Sequence, residues 1–256
     1  MLKKRIIGVI TVLEGWAVQS FGYKKYLPLG KPAVIAENLD NWGADEIFIQ
    51  SINRSKYTRG PDIELLESIS KLSLSTPITY AGGISCLEDA IQAIKTGCER
   101  IALDNLLHEN LKKLNDISST IGSQAIIASI PVSVQNNKLL WFDYKRNIDK
   151  ESFREIENIY SSGLISEIFL IDKNSEGSKN SFNKKILDLF PLKTTPLILF
   201  GGITSSEQIK GYLGKKNISA IAIGNSLNYK EHSIQTVKKD INHKSVRGYN
   251  YRKNII

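Results

Sequence analysis

Cysteine and histidine are scarce in this sequence, and their scarcity argues against a disulfide-stabilised protein and against a metal site built from these residues. Only two cysteines, Cys86 and Cys98, occur among 256 residues, too few for a disulfide framework. Neither has a metal-ligand spacing to any of the three histidines. We therefore expect a protein of a reducing compartment, the cytoplasm, that holds no metal and no cofactor.

Long apolar runs are also missing. The longest ones are about six residues, Ala125–Ile130 for example, and only if Ser129 is overlooked, whereas a helix needs roughly 18 apolar residues to cross a bilayer. The start of the chain, Met1–Arg5 followed by an apolar stretch, resembles a signal peptide, but Thr11 interrupts that stretch and Glu14 ends it. We interpret it as a first β-strand and expect no association with a membrane.

The excess of positive charge is unevenly distributed. The formal net charge is +8, and between residues 230 and 256 seven basic residues stand against two acidic ones. Such a tail is typical of a segment that binds nucleic acid or another anion. The alternative, which we favour, is a final helix whose lysines face solvent while Ile234, Val237 and Ile241 are buried. On that interpretation no nucleic-acid partner is expected.

The sequence repeats itself at about half its length. The segment Pro77–Ile84 returns as Pro196–Ile203, 119 residues later, with a Gly-Gly pair at the same place in each copy. Two other pairs of segments keep nearly the same spacing: Ile101–Asn105 with Ile221–Asn225, and Glu46–Ile49 with Glu167–Leu170. A repeat of this length indicates two homologous halves, about residues 1–122 and 123–256.

Short apolar runs alternate with segments of helical period in both halves. Eight strands are predicted, near residues 5–12, 46–51, 77–81, 100–103, 124–130, 167–172, 196–200 and 219–223. Continuous β-branched strands separated by helices favour a closed (β/α)8 TIM barrel, a single domain built from two half-barrels. An open doubly wound sheet is the alternative. The long segments after the first and fifth strands are expected to be aromatic-bearing loops over the barrel mouth.

The two Gly-Gly pairs directly follow the third and seventh strands. In a barrel they lie at the C-terminal strand ends, where active sites are found, and each precedes a helix with unpaired N–H groups in its first turn. Capping boxes are predicted at both helices, Ser85 with Glu88 and Thr204 with Glu207.

We predict that this end of the barrel binds phosphate; a tight strand-to-helix turn is the simpler interpretation of each glycine pair. Asp104 would repel a phosphate at the first copy, so the second copy, with added N–H donors from residues 176–178, is the better site. The candidate phosphate-binding residues are Gly82, Gly83, Asn105, Gly177, Ser178, Gly201, Gly202, Gly224 and Asn225.

These motifs resemble those of the cyclase subunit of imidazole glycerol phosphate synthase, the HisF family of histidine biosynthesis. The similarity extends over almost the whole chain and is carried by Lys4–Ile7, Gly43–Glu46, Ala81–Ile84, Gly122–Ala125 and Phe200–Gly202. The resemblance implies a half-barrel-duplicated (β/α)8 protein. It also implies a heterodimer with a glutaminase subunit on the N-terminal face of the barrel, ammonia passing through the barrel, and a phosphorylated substrate at its far end.

The resemblance further assigns charged residues at the barrel floor. The ring of charges that gates ammonia in this family corresponds here to Arg5, Glu46, Arg100 and Glu167, with every charge sign kept. Glu99 matches an acidic position that the family uses toward the glutaminase. Without the resemblance, the ring would be interpreted as an ion-pair layer that closes the floor, because buried charges must be paired.

The family's two catalytic aspartates are absent from the other end. Thr11 and Pro131 stand at their positions, and neither side chain can exchange a proton near neutral pH. Asp104 and Asp172 are weak replacement candidates, because a lone acid after a strand is more often a helix N-cap or loop residue. The catalytic residues are therefore not assigned from the sequence.

A retained floor and an altered mouth are typical of the family's divergent paralogues. The resemblance to these implies a glutamine amidotransferase system that forms acetamidino groups on sugars of bacterial surface polysaccharides, together with a glutaminase and an ATP-dependent amidotransferase. The substrate would be phosphorylated or a nucleotide sugar. The alternatives are a histidine-pathway cyclase with displaced acid and base residues, and a non-catalytic scaffold or anion-binding protein.

Overall fold

The computed structural model describes residues 3–109 and 111–248, which form twelve β-strands and eight α-helices. The strands are β1 (Arg5–Leu13), β2 (Trp16–Phe21), β3 (Lys25–Gly30), β4 (Glu46–Ser51), β5 (Ile78–Ala81), β6 (Arg100–Leu103), β7 (Ile126–Gln135), β8 (Lys138–Asp143), β9 (Ile148–Lys150), β10 (Glu167–Asp172), β11 (Leu197–Phe200) and β12 (Ile218–Ile223). The helices are α1 (Pro32–Asn41), α2 (Ile63–Ser70), α3 (Leu87–Lys95), α4 (Leu111–Ile121), α5 (Arg154–Ser161), α6 (Lys185–Leu189), α7 (Ser206–Leu213) and α8 (Ser233–Ile241). No helix in these ranges is long and apolar enough to span a membrane.

Eight parallel strands close into a barrel. They pair in the order β10, β11, β12, β1, β4, β5, β6, β7, and β7 pairs back onto β10. The predicted (β/α)8 barrel is confirmed, and the open-sheet alternative is wrong because no free edge remains among these strands. The elements of residues 5–121 recur in the same order from residue 126 to 241, as expected of two half-barrels.

The segments after the first and fifth strands are antiparallel hairpins, and the prediction of loops there is wrong. β1 folds back on β2 through Glu14 and Gly15, and β7 folds back on β8 through Asn136 and Asn137. All four turn residues have positive φ, as a two-residue type I′ turn requires. The Asn-Asn pair was a signal in the sequence for this turn.

Both helix N-caps lie one residue later than predicted, but only the α7 N-cap makes a side-chain capping hydrogen bond; the α3 N-cap, Cys86, makes none. The N-cap of α7 is Ser205, whose hydroxyl accepts a hydrogen bond from the Gln208 N–H, while Gln208 Oε1 accepts from the Thr204 N–H. Before α3, Ser85 donates to the carboxylate of Asp89 and not to that of Glu88.

The last helix confirms part of the expectation for the basic tail. Ile234 and Ile241 of α8 are buried against the barrel. Lys238, however, does not face solvent as predicted: its side chain is 2% exposed and donates to Asp45 Oδ1 at 2.8 Å and to the carbonyl of Gly43. Arg252 and Lys253 lie outside the described residues.

The apolar residues separate into two layers. One large cluster lies between the strands and the helices. A second fills the barrel interior and includes Ile7, Phe48, Phe169, Ile198 and Phe200. The barrel is therefore packed along its axis between the two ends that carry the polar candidate residues.

Candidate functional site

The N-terminal ends of four barrel strands bring together the four charged residues predicted at the floor. Arg5 of β1 lies 2.6 Å from Glu167 and 3.2 Å from Glu46. Arg100 of β6 contacts the same two carboxylates, Glu167 at 2.6 Å and Glu46 at 3.8 Å. Each cation therefore touches both anions, and the four side chains form a closed ring of ion pairs.

Burial makes this mutual neutralisation necessary. Glu46 is 2% exposed and Glu167 9% exposed. Burial raises the pKa of Glu167, but Arg5 and Arg100 outweigh it and hold the pKa below its ordinary value. Burial likewise lowers the pKa of Arg5, and the two glutamates outweigh that effect in the opposite direction. Glu167 and Arg5 are thus held charged within the floor.

Glu99, the residue predicted to face a partner, is exposed and precedes the ring residue Arg100. Its Oε2 accepts a hydrogen bond of 2.6 Å from the Ile78 N–H. This contact fixes the carboxylate beside the floor, and a role toward a glutaminase stays a prediction.

Two phenyl rings lie directly above the ring of ion pairs. Phe48 and Phe169 follow Glu46 and Glu167 by two residues on their strands, so their side chains point into the same interior. Their rings stack with centroids 4.1 Å apart, and Phe200 adds a second stacked contact to Phe169 at 5.3 Å. The barrel interior next to the ion-pair ring is thus filled by aromatic side chains.

The C-terminal strand ends and the hairpins enclose a mouth cavity of about 700 Å³. Gly82, Gly83 and Asp104 line it, in agreement with their expected position at this end of the barrel. Thr11 and Pro131 are buried and are not among the residues that line this cavity. The family's two acid/base positions therefore contribute nothing titratable to the cavity.

Aromatic and polar side chains make up much of the cavity wall. Tyr23 donates its hydroxyl to Gln50 Oε1 at 3.0 Å, and its ring meets that of Tyr144 edge-on at 5.8 Å. Burial raises the pKa of both tyrosines well above the ordinary value, so both phenols keep their protons. The cavity is also lined by the lysines Lys24, Lys56 and Lys173.

Asp104 directly follows β6 at the cavity wall, with about a quarter of its side chain exposed (26%). Burial, with an added contribution from Asp143, raises its pKa well above the ordinary value. His108 Nε2 lies 3.9 Å from Asp104 Oδ1 on the side away from solvent, and the His108 side chain is fully buried. Asp104 lines the mouth cavity, whereas Asp172, the other replacement acid considered from the sequence, does not.

The carboxylate of Asp172 serves the backbone. It accepts hydrogen bonds from the N–H groups of Asn174, Ser175 and Asn183 at 2.8–3.2 Å. These contacts hold the loop after β10 in place. Asp172 therefore has the structural role that was the alternative to a catalytic one in the sequence analysis.

The second Gly-Gly copy opens onto a separate, smaller pocket of about 90 Å³. Six of the predicted phosphate-binding residues meet there, although they come from three different strand ends: Gly177, Ser178, Gly201, Gly202, Gly224 and Asn225. Lys179, Thr204 and Ser226 also line it. Backbone N–H groups, hydroxyls and one lysine around a small pocket are suited to a phosphate.

Two of the predicted donors have other partners. The Ser178 N–H is bonded to the Ser175 carbonyl, so this donor is not free for an anion. The Asn225 side chain bonds the backbone of Ser20 through both its oxygen and its nitrogen. Asn105 lines neither the pocket nor the cavity.

Both glycine pairs are also required by the backbone. Gly83 and Gly202 have φ of 75° and 74°, and a Cβ at Gly202 would lie 2.4 Å from the Ser181 hydroxyl. The simpler interpretation, a tight strand-to-helix turn, therefore holds at both copies. Anion binding at the second copy rests on the convergence of the other residues around it.

Two residues in and behind the cavity walls were not identified from the sequence. Lys179, which lines the smaller pocket, and His108, which lies behind Asp104, come from short segments without a recognisable motif. Tyr23 and Tyr144, in contrast, belong to the two aromatic-bearing segments that the sequence placed over the barrel mouth, and both line the cavity there. The Asp-x-x-x-His spacing of Asp104 and His108 was the only local signal, and it acquires meaning only when a helical turn follows the strand.

A closed (β/α)8 barrel with its polar cavities at the C-terminal strand ends has the architecture of a TIM-barrel enzyme. Residues 5–233 match the profile of the family described as "Histidine biosynthesis protein". Since this match covers most of the chain, the protein belongs to that family.

Curated relatives agree over nearly full length. A putative imidazole glycerol phosphate synthase subunit hisF2 of Vibrio vulnificus is 28% identical, over 93% of this chain and 88% of the relative. Imidazole glycerol phosphate synthase subunits HisF of Exiguobacterium sp. and Helicobacter hepaticus are 26% and 27% identical, over 93% and 96% of this chain and 93% and 98% of their own lengths. The chain is thus HisF-like, and it is similar to a second-copy paralogue as well as to HisF itself.

Proposed function

We propose that this chain is the barrel subunit of a glutamine amidotransferase, which receives ammonia from a glutaminase at the barrel floor and supplies it to a phosphorylated substrate at the mouth. The observation that carries the proposal is the placement of a closed ion-pair ring at one end and a small anion-type pocket at the other. If the ion-pair ring served only to close the barrel floor, no anion-type pocket would be required at the opposite end of the barrel.

The route between these ends passes the stacked Phe48 and Phe169 rings. Ammonia is small and uncharged, so it can cross an apolar interior, but close packing leaves little space beside stacked rings. Passage therefore requires both an opening of the ion-pair ring and a rotation of at least one phenyl ring. A docked glutaminase that contacts Glu99 and Arg100 would be placed to trigger the first of these movements.

For the nitrogen acceptor, we propose a phosphorylated or nucleotide sugar that receives an acetamidino group, with an ATP-dependent amidotransferase as a further partner. The replacement of both family carboxylates by Thr11 and Pro131 supports a changed reaction, because neither can act as acid or base. The similarity to a putative second-copy subunit also supports it.

The second candidate function is the histidine-pathway cyclase itself, run with displaced acid and base residues. Asp104 favours this candidate, because it places a carboxyl group in the mouth cavity where the family's own aspartates are missing.

Turnover of the histidine-pathway intermediate separates the two candidates. We expect the purified chain, supplied with ammonium, to give no imidazole glycerol phosphate and not to rescue a histidine auxotroph. Robust cyclisation would overturn the acetamidino assignment and establish the cyclase.

Ammonia delivery is tested with a glutaminase from the same organism. Mixing should give a stable heterodimer or a higher glutaminase rate, and loss of both effects would refute the conduit. Arg5→Glu should impair glutamine-dependent transfer while ammonium-dependent transfer persists, because reversing this charge breaks the ring on which both glutamates depend. Lys138→Glu is the matched control, since Lys138 forms an exposed ion pair with Glu151 on a hairpin strand.

A further inference from the structure

The large hydrophobic side chains that the described part of the chain exposes all lie at the mouth end of the barrel. Among them are Trp16, Leu27, Tyr57, Ile148 and Tyr229, which are 42–58% exposed. Each member of the set belongs to a hairpin or loop that follows a barrel strand, or to the first turn of a helix. Scattered apolar residues need no explanation, but their confinement to one end indicates a contact surface there.

Trp16 and Tyr57 flank an ion pair that joins two neighbouring segments. Arg59 Nη1 lies 2.7 Å from Glu14 Oε2, which connects the turn of the first hairpin to the loop between β4 and α2. Trp16 follows Glu14 by two residues, and the Tyr57 ring centroid lies 5.1 Å from the Arg59 guanidinium carbon. These four residues form one surface, the rim patch.

The loop that carries Tyr57 is preformed. The Arg54 side chain holds it from within: Nε donates to the Gly60 carbonyl at 2.7 Å, and Nη1 lies 3.1 Å from the Asp62 carboxylate. Thr58 has a φ of 51°, which a β-branched residue adopts only where its surroundings enforce it. A rigid loop loses little conformational entropy on binding, and Trp, Tyr and Arg are the side chains that dominate binding energy in protein interfaces.

The same loop forms part of the exit from the barrel. Residues 51–53, 55 and 56 line the mouth cavity, and Lys56 is also exposed, so the cavity opens to solvent beside the rim patch. Three lysines line the cavity against a single acid, Asp104, whose pKa is raised by burial. The exit is therefore positively charged and is complementary to an acidic surface.

An open exit is unsuited to ammonia delivery. Ammonia that enters water at neutral pH takes up a proton, and ammonium has no lone pair with which to attack an acceptor. Closing the site against water prevents this loss. A protein that consumes ammonia would prevent it by docking over the exit, because the ammonia then passes from the cavity into its active site without meeting the solvent.

We propose that the rim patch and the positive exit beside it dock an ATP-dependent amidotransferase through an acidic face of that enzyme. This inference rests on the proposed function, because it requires ammonia to travel through the barrel. An anionic membrane or a second copy of this chain would also accept aromatic and cationic side chains, but neither would use the ammonia. Since floor and mouth are opposite ends of the barrel, the glutaminase and the amidotransferase bind at the same time.

Docking is tested by sedimentation velocity with the purified glutaminase and ATP-dependent amidotransferase of the same organism. We expect wild type to form a complex with each and a ternary complex with both. Trp16→Ser and Tyr57→Ser should each weaken the Kd for the amidotransferase about 30-fold and leave glutaminase binding unchanged, which also shows that the variants fold. Leu111→Ser is the control: Leu111 is 46% exposed but precedes β7, which lies opposite β1 in the barrel, and its loss should not change either Kd.

Ammonia transfer provides the functional readout. In the double variant Trp16→Ser/Tyr57→Ser the glutaminase should still form glutamate, while free ammonium per glutamate rises and glutamine-dependent amidation falls. Amidation with saturating ammonium chloride should stay at the wild-type rate, because it bypasses the barrel. Tight docking and coupled transfer in the double variant would overturn the rim patch as the interface.

The other occupants are separated by two further measurements. Co-sedimentation of wild type with vesicles of phosphatidylglycerol and phosphatidylcholine, lost in the double variant, would make the patch a membrane surface and overturn the proposal. Self-association lost in the double variant would do so in favour of a second copy. A wild-type chain that binds the glutaminase but not the amidotransferase overturns the docking and leaves the conduit intact, whereas failure to bind or activate the glutaminase refutes the proposed function.

Discussion

Lowering the pH from about 7.5 to about 5 should destabilise this protein through His108. The folded-state pKa of His108 is about 4, whereas an unfolded histidine titrates near about 6.5. Between these values the unfolded chain binds the proton and the folded chain does not, so stability falls as the pH falls. Linkage places the loss from His108 alone at about 2 kcal/mol by pH 5.

Urea unfolding of wild type and His108→Gln at both pH values measures this loss. The glutamine side chain cannot titrate, while Asp104 and the other acidic groups are common to both proteins and cancel to first order. Wild type should therefore lose about 2 kcal/mol more than the variant over this range. Parallel losses would show that His108 titrates normally in the folded protein and would refute the effect of its burial on its pKa.

Three further substitutions test the packing and the charges. Phe48→Ala removes a fully buried ring stacked on Phe169 and should cost about 3–5 kcal/mol in urea unfolding, while speeding ammonia passage. Lys238→Met leaves the Asp45 carboxylate buried without its cation and should cost about 3–5 kcal/mol at neutral pH, less in acid. Asp104→Asn should unfold at a higher temperature than wild type at alkaline pH, because a raised folded-state pKa means that Asp104 loses stability as the pH rises through it.

Each of these expectations has an outcome that contradicts it. Unchanged ammonia transfer in Phe48→Ala would show that the stacked rings do not lie on the route. Lys138→Met, which breaks an exposed ion pair, should cost less than about 1 kcal/mol; an equal cost for Lys238→Met would refute the role of burial. Equal melting temperatures of Asp104→Asn and wild type across the pH range would mean that Asp104 titrates normally.

Strands and helices were predictable because their patterns are local. The barrel strands are buried on both faces, so they appear as continuous apolar runs, and the repeat revealed their arrangement in two halves. The hairpins were missed although Asn136 and Asn137 signalled a turn, because the β2 and β3 strands carry exposed residues and no strict alternation. The helix N-caps were placed one residue too early, at Ser85 and Thr204 in place of Cys86 and Ser205, since the length of a Gly-Gly turn is not encoded in the pattern that follows it.

The candidate site likewise has some features that the local sequence determines and others that depend on the fold. The sequence by itself determined which residues end up at each end of the barrel, because position along a parallel strand decides whether a side chain lies at the floor or at the mouth. Only the tertiary structure decided which of them meet. The pairing of each floor arginine with both glutamates depends on strands far apart in the chain. The raised pKa of Asp104 depends on its burial and on a hairpin that brings the Asp143 carboxylate near it, and such contacts exist only once the barrel has closed.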